Sequence, residues 1–141
     1  MVNPAQPAPG RKRVLVVDDE ASIREVLAEF LSLEGYETRT ASNGQEALAV
    51  LDTWRPDAII LDLMMPVMDG WAFAKAAYRR LGPEGVPILV ASASLDLVRA
   101  ASELRPHGVR ASLAKPFDLD VLLAAITRLV ERTTADAWPA A

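Results

Sequence analysis

The sequence contains no cysteine, which excludes disulfides, thiolate metal centres and cysteine nucleophiles. Its single histidine, His107, cannot by itself build a histidine metal cluster. No apolar run approaches the roughly 20 residues needed to cross a bilayer. The opening MVNPAQPAPGRKR lacks the apolar centre of a secretion signal. These absences predict a cytoplasmic protein with no membrane contact. An excess of basic residues is missing too: the net charge of −4 argues against direct nucleic-acid binding, which depends on a basic footprint. The run Arg11-Lys12-Arg13 is short and abuts an apolar segment, so it reads as a solvated domain edge.

What is present fits one domain with a core of ordinary size. The chain has 141 residues, 51% of them apolar and 24% charged, the balance of a globular protein. Residues 1–11, with three prolines among Ala, Gln, Asn and Gly, read as a disordered leader, residues 12–133 as the domain, and residues 134–141 as a short tail containing Trp138. Within the domain, short apolar runs recur: VLVV (14–17), AIIL (58–61), ILVA (88–91) and, more weakly, VRASLA (109–114). Their length and Val/Ile content predict buried parallel strands, whereas the alternating YETRTA (36–41) predicts an edge strand.

Helical patterns separate these runs. Ile23, Val26, Leu27, Phe30 and Leu31 share one helix face, and Gly35 is placed to end that helix. Leu119, Leu122, Leu123, Ile126, Leu129 and Val130 do the same near the C-terminus, with Asp118 as the expected N-cap. Weaker stripes fall at Ala47/Val50/Leu51/Trp54, Trp71/Ala74/Tyr78/Leu81 and Leu97/Val98/Ala101/Leu104, each read as a core face. Strict alternation of strand and helix implies an α/β domain with a parallel sheet covered on both faces. The chain is too short to close an eight-stranded barrel of about 250 residues, so an open, doubly wound sheet of five strands and five helices is predicted.

The polar residues that follow the apolar runs carry the chemistry. VLVV leads into Asp18-Asp19, AIIL into Asp62, ILVA into Ser92 and SLA into Lys115. In open α/β sheets ligands bind outside the carboxyl ends of the strands, where the strand order reverses. Converging carboxylates repel, and a hard cation such as Mg²⁺, which binds carboxylate and phosphate oxygens, removes that cost. Lys115 adds a compact positive charge and Ser92 a hydroxyl donor. Phosphoryl transfer needs little beyond positioning and charge neutralisation, and a carboxylate can serve as its nucleophile.

These residues resemble the receiver domain of two-component response regulators, a CheY-like family. VLVVDDE (14–20), DLMMPVMDG (62–70), PILVASA (87–93) and KPF (115–117) match its motifs in order, and the likeness extends over about residues 12–133. The resemblance implies a flavodoxin-like sheet of order 2-1-3-4-5 and a protein that is a signalling domain and not an enzyme in the usual sense. It implies that Asp62 accepts a phosphoryl group from a histidine kinase or histidine phosphotransfer protein. Asp19 would bind Mg²⁺ (or Mn²⁺) directly, Asp18 through water, with Asp62 and the main-chain carbonyl of Met64 as further ligands. Lys115 would contact the phosphoryl oxygens, Ser92 would swing to hydrogen-bond one of them, and the Lys115–Pro116 peptide would be cis. An unidentified downstream protein would read the switched state, with the domain monomeric or dimerising on phosphorylation. Helix 1 and the loop after strand 5 would meet the donor.

Two positions tune that expectation. Ser112 stands where the family usually carries Tyr or Phe, so the usual coupling to the face of helix 4, strand 5 and helix 5 is expected to be altered. Met64 and Ser94 lie where the family controls water access, and an apolar Met64 cannot orient an attacking water. Four other readings compete. A degenerate receiver acting only as a docking module is disfavoured by the complete set of Asp18, Asp19, Asp62, Ser92 and Lys115. The chain can be the receiver segment of a longer regulator. An aspartyl-nucleophile phosphohydrolase usually has a second Asp two residues past the nucleophile, where this chain has Met64. A nucleotide or flavin site is disfavoured because DDEAS, and not a glycine-rich loop, follows the first strand.

Overall fold

The computed structural model describes residues 10–82 and 85–135, with side chains described as far as residue 131. The expected leader and tail, including Trp138, therefore lie mostly outside the described residues. Strands β1 (Arg13–Val17), β2 (Glu37–Ala41), β3 (Ala58–Leu61), β4 (Ile88–Ser92) and β5 (Val109–Ala114) alternate with helices α1 (Ala21–Leu33), α2 (Gly44–Leu51), α3 (Gly70–Leu81), α4 (Leu97–Glu103) and α5 (Leu119–Ala135). Helix α5 continues through Ala135, past the domain limit expected at residue 133. Arg11, assigned to the leader, is tied to the domain by a 2.9 Å bond from its Nε to the Gly35 carbonyl.

All strand pairs are parallel, in the order β2-β1-β3-β4-β5. The order reverses between β1 and β3, which makes that junction the crevice of the sheet. The strand period of two divides the core in half. Leu15, Val17, Ile59, Leu61, Ile88 and Val90 face α2, α3 and α4, where Ala47, Leu51, Phe73, Ala77, Leu97 and Leu104 meet them. Val14, Val16, Ile60, Leu89 and Ala91 face α1 and α5, against Leu27, Leu31, Leu122 and Ile126. Burial on both faces is why these strands read as continuous apolar runs. Each fully buried Leu, Ile or Val contributes about 1.5–3 kcal/mol relative to exposure.

Gly35 ends α1 as expected. It sits at φ +99°, its N–H donates to Ser32 O, and Tyr36 N–H donates back to Leu31 O. That pair of bonds satisfies carbonyls the helix end leaves open, and it requires the left-handed conformation glycine adopts cheaply. Asp118 directly precedes α5, and its carbonyl accepts the Leu122 N–H at 3.1 Å.

Two apolar stripes are corrected. Val98 is 80% exposed, and the buried face of α4 is instead Leu97 and Ala100, followed by Leu104. The sequence spacing allowed either face, and packing against β5 chose the one with the small Ala100. Val26 on α1 is likewise 52% exposed, beside Leu27 and Leu31, which carry the contact. Trp54 lies beyond the end of α2 yet is buried, its Nε1 donating to Glu37 Oε1 at 3.0 Å. Among the described residues no helix is long and apolar enough to cross a membrane.

Candidate functional site

The site forms where β1 and β3 end together. Val17 is paired with Leu61, and the ladder continues one step further, with Asp62 N–H donating to Val17 O at 3.0 Å and Asp18 N–H to Ala41 O at 3.1 Å. Asp18 and Asp62 thus leave adjacent strand ends side by side. Ser92 closes β4, and its carbonyl accepts the Lys115 N–H at 3.0 Å, which brings the residue after β5 to the same edge. Asp18, Asp62 and Ser92 are the buried polar residues of the described core, each 5% exposed or less. Asp19 is exposed.

The loop after β3 holds Asp62 by its backbone. Gly70 N–H donates to Leu63 O at 2.9 Å, and Asp69 caps α3 through a 2.9 Å bond from Ala72 N–H to Oδ1. A Cβ on Gly70 would lie 2.5 Å from Asp62 O and 2.7 Å from Leu63 Cα. Glycine is required here for close approach, so the Asp-Gly pair is part of how the strand end that carries Asp62 is seated. Between them, Val67 adopts φ 69° in a tight turn closed by Met68 N–H to Pro66 O at 2.8 Å. That conformation is unfavourable for a β-branched residue.

The charged groups form one network. Lys115 Nζ donates to Asp18 Oδ2 at 2.6 Å and lies 3.5 Å from Asp62 Oδ2. Asp18 Oδ1 accepts the Glu20 N–H at 2.9 Å, and Asp62 Oδ1 accepts the Met64 N–H at 3.2 Å. The Ser92 hydroxyl lies close enough to Asp62 to favour its charged form, while its Oγ accepts the Ser94 N–H at 3.2 Å. One carboxylate oxygen each from Asp18, Asp19 and Asp62 falls within 4.8 Å of the others. This all-oxygen donor set with one exposed acid fits a single hard cation.

The two ends of the Lys115–Asp62 contact are shifted in ways that disagree on how favourable it is. Burial pushes the Asp62 carboxyl up from its ordinary value, and the opposing pull of Lys115 and the Met64 N–H does not cancel it. Burial alone would lower Lys115, but its hydrogen bond to Asp18 and the charges of both carboxylates outweigh that and raise it. Geometry resolves the conflict: the ammonium belongs chiefly to Asp18, at 2.6 Å against 3.5 Å. Ionised Asp62 is thus a net cost to the metal-free fold. The cost is fully present above its raised folded pKa, shrinks as pH falls below that value, and is gone below the ordinary carboxyl value. Metal-free Asp62→Asn is therefore expected to be more stable than wild type at neutral pH, with the gain fading toward pH 4. Urea midpoints at the two pH values check this, and a gain that grows on acidification would contradict it.

The structure brings together Asp18, Asp19, Asp62, Ser92 and Lys115, and the Lys115–Pro116 peptide is cis. Met64 supplies its N–H to Asp62, and the residue is 64% exposed. Ser112 is not in the site: it is exposed on the edge strand, opposite Val90. One residue that sequence reasoning missed is Arg24, whose Nη1 donates to the Asp18 carbonyl at 2.6 Å. Its only signal was its place in the first turn of the helix that follows the acidic pair.

Comparison with known proteins agrees with this geometry. A family model for the response regulator receiver domain matches residues 14–127. The response regulator MprA of Mycolicibacterium vanbaalenii is 40% identical over 124 residues, 88% of this chain and 52% of that protein. The chain thus spans about half the length of the curated relatives it matches. Among solved structures, the chemotaxis response regulator CheY4 of Vibrio cholerae superposes with a TM-score of 0.75 at 36% identity, covering 84% of this chain and 98% of that one. The response regulator TrrA of Thermotoga maritima, solved in complex with Mg²⁺–BeF, gives 0.72 at 36% identity over 84% and 98%.

Proposed function

The chain belongs to the response regulator receiver family, and on that footing we propose that Asp62 is the residue that accepts the phosphoryl group. The observation that carries this is its seat: a buried carboxylate at the end of β3, 3.5 Å from Lys115 Nζ and within reach of both Asp18 and Asp19. Burial makes its oxygen more basic and hence a better nucleophile. In the reaction, an Asp62 oxygen forms a bond to phosphorus as the donor's P–N bond to an imidazole breaks, and the imidazole leaves with a proton. Lys115 balances charge on the phosphoryl oxygens, and Ser92 turns its hydroxyl from the Ser94 N–H to donate to one of them.

Asp19, Asp18, Asp62 and the Met64 carbonyl would hold Mg²⁺, which when bound would neutralise phosphoryl charge. That a relative binds Mg²⁺–BeF supports this assignment. Mass spectrometry after incubation with a small acyl phosphate tests it. A gain of one phosphoryl group with Mg²⁺, prevented by chelator, is expected. An equal gain in chelator would contradict it.

The donor in this reading is a histidine kinase or histidine phosphotransfer protein. The open apolar groove of Ile23, Val26, Ala93, Pro116, Phe117 and Leu119 beside Lys115 supports a protein donor there. A downstream protein reads the result, and the exchange takes place in the cytoplasm. Self-dephosphorylation is slow because the Met64 side chain offers an approaching water no hydrogen bond. Loss of the phosphoryl group within seconds at neutral pH would count against that. Read-out at the α4–β5–α5 face is altered, because Ser112 has no ring to move inward as Ser92 turns. NMR shift changes of ordinary extent there on phosphorylation would contradict it. The half-length match to MprA carries one further reading, in which the same chemistry serves as the receiver of a longer regulator. The apparent mass of the native protein in its source cells separates the two.

A further inference from the structure

We propose that Arg24 is a positioning residue for the acidic pair: its guanidinium fixes the peptide that joins Asp18 to Asp19 and so sets where the Asp19 carboxylate stands. The inference rests on the reading above that these acids hold Mg²⁺. Arg24 lies in the first turn of α1, half-buried, with its own N–H on Glu20 O at 3.0 Å. A guanidinium this close to acidic residues would ordinarily take one of their carboxylates. Among the described residues Arg24 forms no ion pair, and its Nη1 goes instead to the main-chain oxygen of Asp18 at 2.6 Å. Its contribution is therefore to the backbone.

That backbone bond matters because of how differently the two acids are held. Every polar group of Asp18 is engaged: N–H to Ala41 O, Oδ1 by Glu20 N–H, Oδ2 by Lys115 and the carbonyl by Arg24. The Asp19 carboxylate is exposed and takes no hydrogen bond or ion pair among the described residues. Its position is set by its backbone alone. Carbonyl oxygen 18 and amide nitrogen 19 share one rigid peptide plane, so a bond that pins the oxygen pins the direction in which Asp19 departs. Partners of this kind, one step removed from a metal ligand, orient the ligand without touching the ion.

Calorimetric titration with Mg²⁺ of wild type, Arg24→Met and Arg24→Lys tests this, with metal-free urea midpoints measured alongside. Arg24→Met is expected to weaken Mg²⁺ binding about tenfold. Arg24→Lys is expected to lose several-fold and so recover part of the affinity, since an ammonium reaches a carbonyl with a single, less oriented donor. The metal-free midpoint of the Lys variant should match wild type. The sign discriminates between roles: a cation acting only through its charge opposes Mg²⁺, and its removal would tighten binding. Met-variant affinity equal to or above wild type would overturn the inference. Should the Met variant fail to fold, a Lys variant that binds Mg²⁺ as tightly as wild type would overturn it equally. A wild type that takes up no Mg²⁺ would overturn the metal reading, and this inference with it.

Discussion

Gly70→Ala, at the first residue of α3, is expected to lower stability by about 2–3 kcal/mol, an overpacking cost. The added methyl would sit 2.5 Å from Asp62 O, 2.7 Å from Leu63 Cα and 3.2 Å from Asp62 C. All three are backbone atoms of the strand end that carries Asp62, so no side chain can rotate away to make room. Either the start of α3 or the end of β3 must move, and the 2.9 Å bond from Gly70 N–H to Leu63 O couples them. The variant should therefore lose both melting temperature, by roughly 5–10 °C, and phosphoryl uptake from a small donor. A variant that melts with wild type and is phosphorylated at the same rate would show that the close approach has no such role.

Lys115→Met should slow phosphoryl acceptance by about 10²–10³-fold, the usual cost of deleting one group aimed at developing oxygen charge. The side chain is near-isosteric, so the change removes charge and donor more than volume. It also strands Asp18, whose side chain is 4% exposed and whose Oδ2 is held at 2.6 Å by this ammonium. Removing one partner of a buried pair costs about 3–5 kcal/mol. The metal-free protein should thus unfold at markedly lower urea, and Mg²⁺ should restore part of the difference by taking over the carboxylates. Stopped-flow phosphorylation and urea titrations with and without Mg²⁺ measure the two effects separately. A wild-type rate in Lys115→Met would remove Lys115 from the mechanism.

Much of this candidate site was legible from residue order because each of its groups is the residue at or just past the end of a strand. The apolar runs located β1, β3 and β4, since strands covered on both faces cannot tolerate polar interruptions; VRASLA, expected as a buried strand, is instead the second edge strand, β5, with Ser112 exposed. Asp18, Asp62, Ser92 and Lys115 then stood at the sheet's carboxyl edge by topology alone. The misses lay where a tertiary contact made the choice. Leu97, Val98, Ala101 and Leu104 satisfy a helical period as well as Leu97, Ala100 and Leu104 do, and only packing on β5 exposes Val98. Nothing in composition joins Lys115 to Asp18 in preference to Asp62, a contact between residues 97 positions apart. Arg24 was silent for the same reason. Its partner is a main-chain carbonyl, and sequence patterns register side chains.

The central claim is that Asp62 is the acceptor, and intact-mass measurement of wild type and Asp62→Asn after incubation with a small acyl phosphate and Mg²⁺ tests it most directly. The account predicts the mass of one phosphoryl group on the wild type and none on the Asn variant. A gain that survives in Asp62→Asn would place the acceptor elsewhere and contradict it.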